Sequence, residues 1–292
     1  MKKLLLISLI GFALLSCKKE DSIQPINQEV ITKQVDNTNA RIATDNLLMG
    51  NPSNASTLST TNYLMQKMTY SLSYNSTEGK PNWVSWHLDN TWLGSATRCD
   101  CFASDVLLPS GVYRVSSSSY TNSGFDRGHN CPSGDRTFSS TDNRETFLMT
   151  NMMPQAPVNN QQTWERLESY CRTLVSQGNE CYIICGSYGK GGTGSKGGTT
   201  LTIDAGRVTV PKQIWKVVIV LPNGTNDISR VTTATRVIAV NTPNINTLST
   251  SWGVYRTSVD AIETATGYDI LSGLPDAIEA TLESRVDNGP TQ

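Results

Sequence analysis

The chain has 292 residues, with 24 Lys and Arg against 25 Asp and Glu and a formal charge of −1 when both histidines are neutral. That balance excludes a broadly basic surface that binds nucleic acid by releasing counterions, so any such binding falls to a local cleft. The length suits a leader, a tether and one large domain.

Lys2 and Lys3 precede an apolar run from Leu4 to Leu15. The run is too short to span a bilayer comfortably and reads as a signal segment. Leu14-Leu15-Ser16-Cys17 resembles the lipobox of bacterial lipoproteins, in which the cysteine becomes the first, lipidated residue. Residues 1–17 are therefore expected to be a leader, with lipidation at Cys17 giving a membrane anchor. The expected location is the bacterial cell envelope, outside the cytoplasm, with the leaflet left open. Residues 18–60 are polar and lack periodicity, which predicts a flexible tether. Residues 61–292 are expected to form the folded domain.

Beyond Cys17 there are Cys99, Cys101, Cys131, Cys171, Cys181 and Cys185. An even number in an exported chain predicts disulfides, three if all pair. No cluster of His or Cys completes a zinc set around Cys99-Asp100-Cys101.

Short β-branched runs predict strands at Asn82–Leu88, Val112–Tyr120, Phe147–Met153, Cys181–Gly186, Gln213–Leu221 and Arg236–Asn241. Helices are predicted from about Asn159 to Gln177, from Ser258 (as cap) to Thr266, and over Pro275–Arg285. The mixture defines an α+β domain with a central antiparallel sheet flanked by helices. Gly192-Thr193-Gly194-Ser195-Lys196-Gly197 satisfies the dinucleotide pattern G-x-G-x-x-G, but a strand rather than a helix is expected to follow it. It reads as a surface loop.

In the first helix Trp164, Leu167, Cys171, Leu174 and Val175 form an apolar stripe, and Glu168 falls inside it. A carboxylate there needs a partner, and Arg172 stands at i+4 as a structural candidate. Asn160 places an amide oxygen at the start of the same helix. Asp126-Arg127-Gly128-His129 lies upstream and holds one of only two histidines. Imidazole is the usual proton acceptor near neutral pH.

Three segments, Asp126–His129, Asn151-Met152-Met153-Pro154-Gln155 and Asn160 through Glu168, together resemble the DNA/RNA non-specific endonucleases. These are the ββα-metal, or His-Me finger, nucleases that include mitochondrial endonuclease G. Asn82–Leu88, Val210-Pro211 with Trp215-Lys216-Val217, and Thr257–Glu263 with Thr266-Gly267-Tyr268 extend the resemblance over roughly residues 70–280. It implies a ββα-metal motif, here assigned to the strands Val112–Tyr120 and Phe147–Met153 and the Asn160 helix.

The resemblance also implies roles. His129 would be the base that activates water, with a pKa near working pH. Asn160 would be the single protein ligand of a hydrated Mg²⁺, with Mn²⁺ as the alternative ion. Glu168 would orient metal-bound water, while Arg127 and Arg172 would neutralise the phosphate. Asn151 would support the site, and Asp126 would hold the His129 loop. His87 stands where some members carry arginine; contact with phosphate and packing beside Trp86 are both open to it, and it is left outside the catalytic set. The implied activity is metal-dependent hydrolysis of DNA and RNA. The rival reading is a non-catalytic surface lipoprotein that binds nucleic acid or another partner. Some members of the family dimerise, so a homodimer is also carried as an expectation.

Overall fold

The computed structural model describes residues 46–292. The leader and Cys17 lie outside this range. Strands β1 (Tyr63–Gln66), β2 (Ser71–Asn75) and β3 (Lys80–Leu88) form a meander at the start of the domain. Then come β4 (Asp126–His129), helix α1 (Ser140–Glu145), β5 (Met152–Gln155), a π-helical turn over Asn159–Trp164, and helix α2 (Glu165–Ser176). Next are β6 (Asn179–Tyr188), β7 (Thr202–Ile203), β8 (Val208–Thr209), β9 (Gln213–Pro222), helix α3 (Asp227–Arg230) and β10 (Arg236–Pro243). The last elements are β11 (Arg256–Thr257), α4 (Val259–Thr266) and α5 (Asp276–Glu283).

Seven strands form one antiparallel sheet in the order β1-β2-β3-β6-β9-β10-β11. Alternation along each strand sends side chains to two faces. On one face Val84, Trp86, Cys181, Ile183, Cys185 and Val218 pack against Trp164, Leu167, Cys171 and Val175 of the α2 segment. On the other, Trp83, Tyr182, Ile184, Trp215, Val217 and Ile219 pack against Val259 and Ile262 of α4 and Leu282 of α5. The α+β layering expected from the sequence is thus realised. Ser258 accepts a hydrogen bond from the Ala261 N–H to open α4, and Gly267 closes it with φ 73°.

Three expectations need correction. The polar tether does not run to residue 60. From Asn46 onward the chain is packed: Met49 and Ala55 are buried, Asn46 Nδ2 donates to Met68 O, and Trp83 Nε1 donates to Ser53 Oγ. Val112–Tyr120 is not a strand. Its serines satisfy one another locally, with Ser116 N donating to Ser119 Oγ, and Ser117–Tyr120 closes as a 3₁₀ turn. Phe147–Met153 becomes strand only from Met152, because Met149–Asn151 is a 3₁₀ turn. The two β elements of the ββα unit are therefore β4 and β5, paired antiparallel with His129 opposite Met152.

Nor are there three disulfides among the described residues. Cys99 and Cys101 are bridged, while Cys131, Cys171, Cys181 and Cys185 are buried free thiols. These four sit inside the core as small apolar groups, and burial pushes Cys171 and Cys185 each up to about 12. The glycine-rich segment behaves as a loop that leads into β7: Ser195 N donates to Gly124 O, and no helix begins there.

Candidate active site

The ribbon β4–β5 delivers Arg127 and His129, and the π turn delivers Asn160. Gly128 is required between the two catalytic candidates by packing: a Cβ there would lie 2.3 Å from Gln155 Oε1 and 2.6 Å from Gln155 Cβ. Gln155 is buried and donates from Nε2 to Asn159 Oδ1, while Asn159 Nδ2 donates to Thr242 Oγ1 on β10. The glycine thus admits the side chain that fixes the residue before Asn160.

Asp126 acts differently from expectation. Its Oδ2 accepts from Asn160 Nδ2 and from Gln161 Nε2, both at 2.8 Å. It holds the π turn rather than the His129 loop. With its Nδ2 so engaged, Asn160 keeps Oδ1, which accepts no hydrogen bond among the described residues. The His129 side is held instead by Asn151. Its Oδ1 accepts from Cys131 N, and its Nδ2 donates to Cys131 O and Thr146 O. Asn151 is fully buried and supports the strand end.

His129 packs edge-on to Phe147, with centroids 4.8 Å apart, and is tilted against Phe102 at 5.7 Å. Its Nε2 is buried without a hydrogen-bond partner. Burial, and then the charges of Arg98 and Arg127, push His129 down to about 3. The imidazole is therefore neutral at ordinary pH, rather than poised near it as expected. Arg127 lies 4.1 Å over Phe102, and Arg98 lies 4.8 Å over Phe147. The Cys99–Cys101 bridge sits between Arg98 and Phe102. A cleft of about 450 Å³ is lined by Arg98, Asp100, Phe102, Asp126, Arg127 and Asn160. A larger groove of about 640 Å³ beside α2, with Glu165, Arg166 and Trp252 in its walls, contains none of these groups.

Glu168 and Arg172 belong to a second cluster along α2. Arg172 does not form an ion pair with Glu168. Its Nη1 meets Asp135 Oδ1 at 2.9 Å and its Nη2 donates to Ser169 Oγ. Asp135 Oδ2 also accepts from Trp86 Nε1. The partner of Glu168 is Lys216, whose Nζ lies 3.5 Å from Oε1. Lys216 shares a register row with Val84, Cys185 and Val240 on the α2 face of the sheet. Burial is the largest single influence and would lower its pKa, but Glu168 together with Cys185, Cys171 and Asp135 outweighs it and the net shift is upward. Burial pushes Glu168 up to about 7 against the pull of Lys216 and Arg172.

His87 is on the opposite face. It stacks on Tyr182 with centroids 4.6 Å apart, and its Nε2 meets Glu180 Oε2 at 3.0 Å. It plays no part in the cleft. Sequence reasoning missed Arg98, Asp135 and Lys216. Of these only Lys216 carried a signal, as a charge at an inward position of the apolar strand Gln213–Pro222.

Among the described residues no group of three His, Cys, Asp or Glu side chains gathers at this cleft. What it offers an ion is the amide oxygen of Asn160, with the carboxylates of Asp100 and Asp126 also in its lining. That set suits a hard, largely hydrated cation better than zinc.

A short antiparallel ribbon and a helix that together carry His, Arg and Asn define a ββα-metal nuclease unit. The chain belongs to the DNA/RNA non-specific endonuclease family, whose sequence profile matches residues 50–277. A nuclease of Nostoc sp. is 51% identical over 244 residues, covering 83% of this chain and 86% of the relative. The mitochondrial nuclease EXOG of Xenopus laevis is 34% identical over 164 residues, 54% of this chain and 46% of the relative. A nuclease of Serratia marcescens is 27% identical over 245 residues, 82% of this chain and 85% of the relative. The fold matches the crystal structure of an EndoG/EndoGI complex with a TM-score of 0.65 at 23% identity, covering 82% of this chain and 95% of that one. The chain is a metal-dependent phosphodiester hydrolase that acts on nucleic acid.

Proposed function

We propose that the cleft lined by Arg127 and Asn160, with His129 packed behind its Phe102 wall, is the catalytic centre and that it hydrolyses DNA and RNA with Mg²⁺ as the working ion. The observation that carries this reading is the tie between Asp126 and Asn160. It joins the strand that bears the base to the turn that bears the metal ligand.

His129 is the general base. Nε2 is buried, so Nδ1 is the nitrogen left to take a proton from water. A neutral imidazole is in the accepting form, and phosphate bound at Arg98 and Arg127 offsets the charges that depress its basicity. Asn160 Oδ1 would hold Mg²⁺, which supplies Lewis-acid stabilisation of the charge that develops on the leaving oxygen. Glu168 orients water in its ionised form, kept from full protonation by Lys216. Arg127 and Arg98 bind the phosphate. Arg172, fixed by Asp135 and Ser169, adds positive charge along the helix. Attachment through a lipid on Cys17 would hold this activity in the cell envelope, outside the cytoplasm.

The test is digestion of plasmid, single-stranded DNA and RNA by purified protein with Mg²⁺, with Mn²⁺ and with excess chelator, beside His129→Ala. All three substrates should be cut, chelator should stop cleavage, Mg²⁺ should restore it, and the variant should be inactive. Cleavage indifferent to chelator, or undiminished in His129→Ala, would exclude this chemistry. For the anchor, palmitate labelling should disappear in Cys17→Ser.

A further inference from the structure

We propose that Asn244 and Asn246, in the segment that follows β10, are positioning residues that set the turn carrying Asn160. The chain between β5 and that turn includes Pro154 and Pro157, which have no N–H to donate. The segment therefore has few backbone groups with which to fix itself. Of the N–H groups left, those of Ala156 and Val158 both go to side chains 88 residues further along. Ala156 N donates to Asn244 Oδ1 at 2.8 Å, and Val158 N donates to Asn246 Oδ1 at 2.9 Å. Asn159 adds a third tie, donating from Nδ2 to Pro243 O at 3.0 Å.

The route from Asn244 to the metal ligand is short. Ala156 O accepts the Asn160 N–H at 2.9 Å, so a single residue stands between the two asparagines. A shift of Ala156 moves the acceptor on which Asn160 hangs, and the Asn160 amide oxygen swings with it. Asp126 holds the Asn160 side chain from the β4 side. Asn244 holds its backbone from the β10 side.

Asn244 is itself immobile. It is fully buried, and its Nδ2 donates to Pro154 O and to Pro211 O, each at 2.9 Å. Its backbone N–H donates to Lys212 O, also at 2.9 Å. Displacing it would leave several buried polar groups unpaired at once, which is costly.

The same residue reaches the far wall of the cleft. Asn244 O accepts the Thr193 N–H at 2.9 Å, and two residues on, Ser195 N donates to Gly124 O. A Cβ on Gly194 would lie 2.3 Å from Gly124 O, so this loop rests directly on the segment 121–125. Thr121 and Phe125 of that segment line the cleft with Asn160. One buried amide thus ties the metal turn to the opposite wall.

The proposal rests on the reading of Asn160 as metal ligand, and its test separates the two. Mn²⁺ binding without substrate is followed by the paramagnetic resonance of the free ion, in wild type, Asn160→Ala, Asn244→Ala and Asn246→Ala. Ile262→Ala, which hollows the core beneath α4, is the control for lost stability alone. The binding that Asn160→Ala removes should be about 10–100-fold weaker in Asn244→Ala. In Asn246→Ala, where one hydrogen bond is lost at a partly exposed residue, it should be about 2–10-fold weaker. The Mg²⁺ needed for half-maximal nicking should rise by the same factors, with the rate regained at high Mg²⁺. Hydrogen exchange of the Asn160 amide, read by NMR, should quicken in both variants. Ile262→Ala should change neither ion binding nor the Mg²⁺ requirement. The proposal is overturned if Asn244→Ala and Asn246→Ala bind Mn²⁺ as wild type does, or if Ile262→Ala weakens it equally. Should Asn244→Ala not fold, Asn246→Ala decides on the same terms. If Asn160→Ala leaves Mn²⁺ binding intact, the metal reading falls; exchange at Asn160 then decides the link alone, and exchange unchanged from wild type overturns it.

Discussion

Lys216 Nζ lies 3.5 Å from Glu168 Oε1 and over the rings of Trp164 and Trp86, at 4.4 and 5.5 Å from their centroids. A lysine from the middle of the sheet thus holds the ionisation of a carboxylate on α2. Glu168 side-chain exposure is only 13%, so without this charge burial would favour its neutral form.

Lys216→Met should therefore move the acid limb of the pH–rate profile upward by about 1–3 pH units. At pH 7 the rate should fall roughly tenfold or more and recover as pH rises. Plasmid nicking measured across pH checks this. A profile superimposed on that of wild type would disconnect Lys216 from Glu168.

His129→Ala should lower the cleavage rate by about 10²–10⁴-fold with circular dichroism unchanged. Its titration also bears on stability. The folded value of about 3 lies below the ordinary 6.5, so the native state resists a proton that the unfolded chain accepts. This contribution is intact above pH 6.5 and is lost as pH falls towards 3. His129→Gln should flatten that acid dependence in urea titrations; equal slopes would contradict the burial argument.

Gly128→Ala should cost about 1–3 kcal/mol of stability, because the added methyl displaces Gln155 from its bond to Asn159. Activity should fall more than the lost stability explains. Urea denaturation and nicking assays on the same preparation separate the two effects.

Asp126→Ala leaves Asn160 present but unheld. It should weaken the activating ion by about 10–100-fold, with activity regained at high Mg²⁺. Asn160→Ala removes the ligand itself and should not be rescued. Rescue of both variants by Mg²⁺ would argue that the ion is held elsewhere.

Thiol titration tests the cysteine assignment. Protein carrying Cys17→Ser should show no reactive thiols when native and four after denaturation without reductant, those of Cys131, Cys171, Cys181 and Cys185. Six would remove the Cys99–Cys101 bridge, and none would restore the three-disulfide expectation.

The helices and the long central strands were legible in the sequence because their apolar periodicity is sustained. Ser258 and Gly267 even mark the ends of α4. The short ribbon was not legible. Asp126–His129 is a four-residue strand with three polar side chains, and Met152–Gln155 contains a proline, so neither alternates clearly. The end of the first strand is held by a side chain remote in sequence, that of Asn151 on Cys131, which local patterning does not reveal. Asn160 and Glu168 were readable from helical spacing. The partner of Glu168 was not, since helical spacing pointed to Arg172 whereas the sheet supplied Lys216.

The π turn over Asn159–Trp164 has a consequence for how this enzyme tolerates change. Each residue of a regular α-helix advances the phase by about 100°. A wider turn at the entrance therefore sets the rotation of Asn160 independently of the stripe that docks α2 on the sheet. Loss of a single residue there would leave the stripe seated and swing the amide away from Asp126. The catalytic geometry is thus vulnerable to a change in loop length that the rest of the fold would absorb.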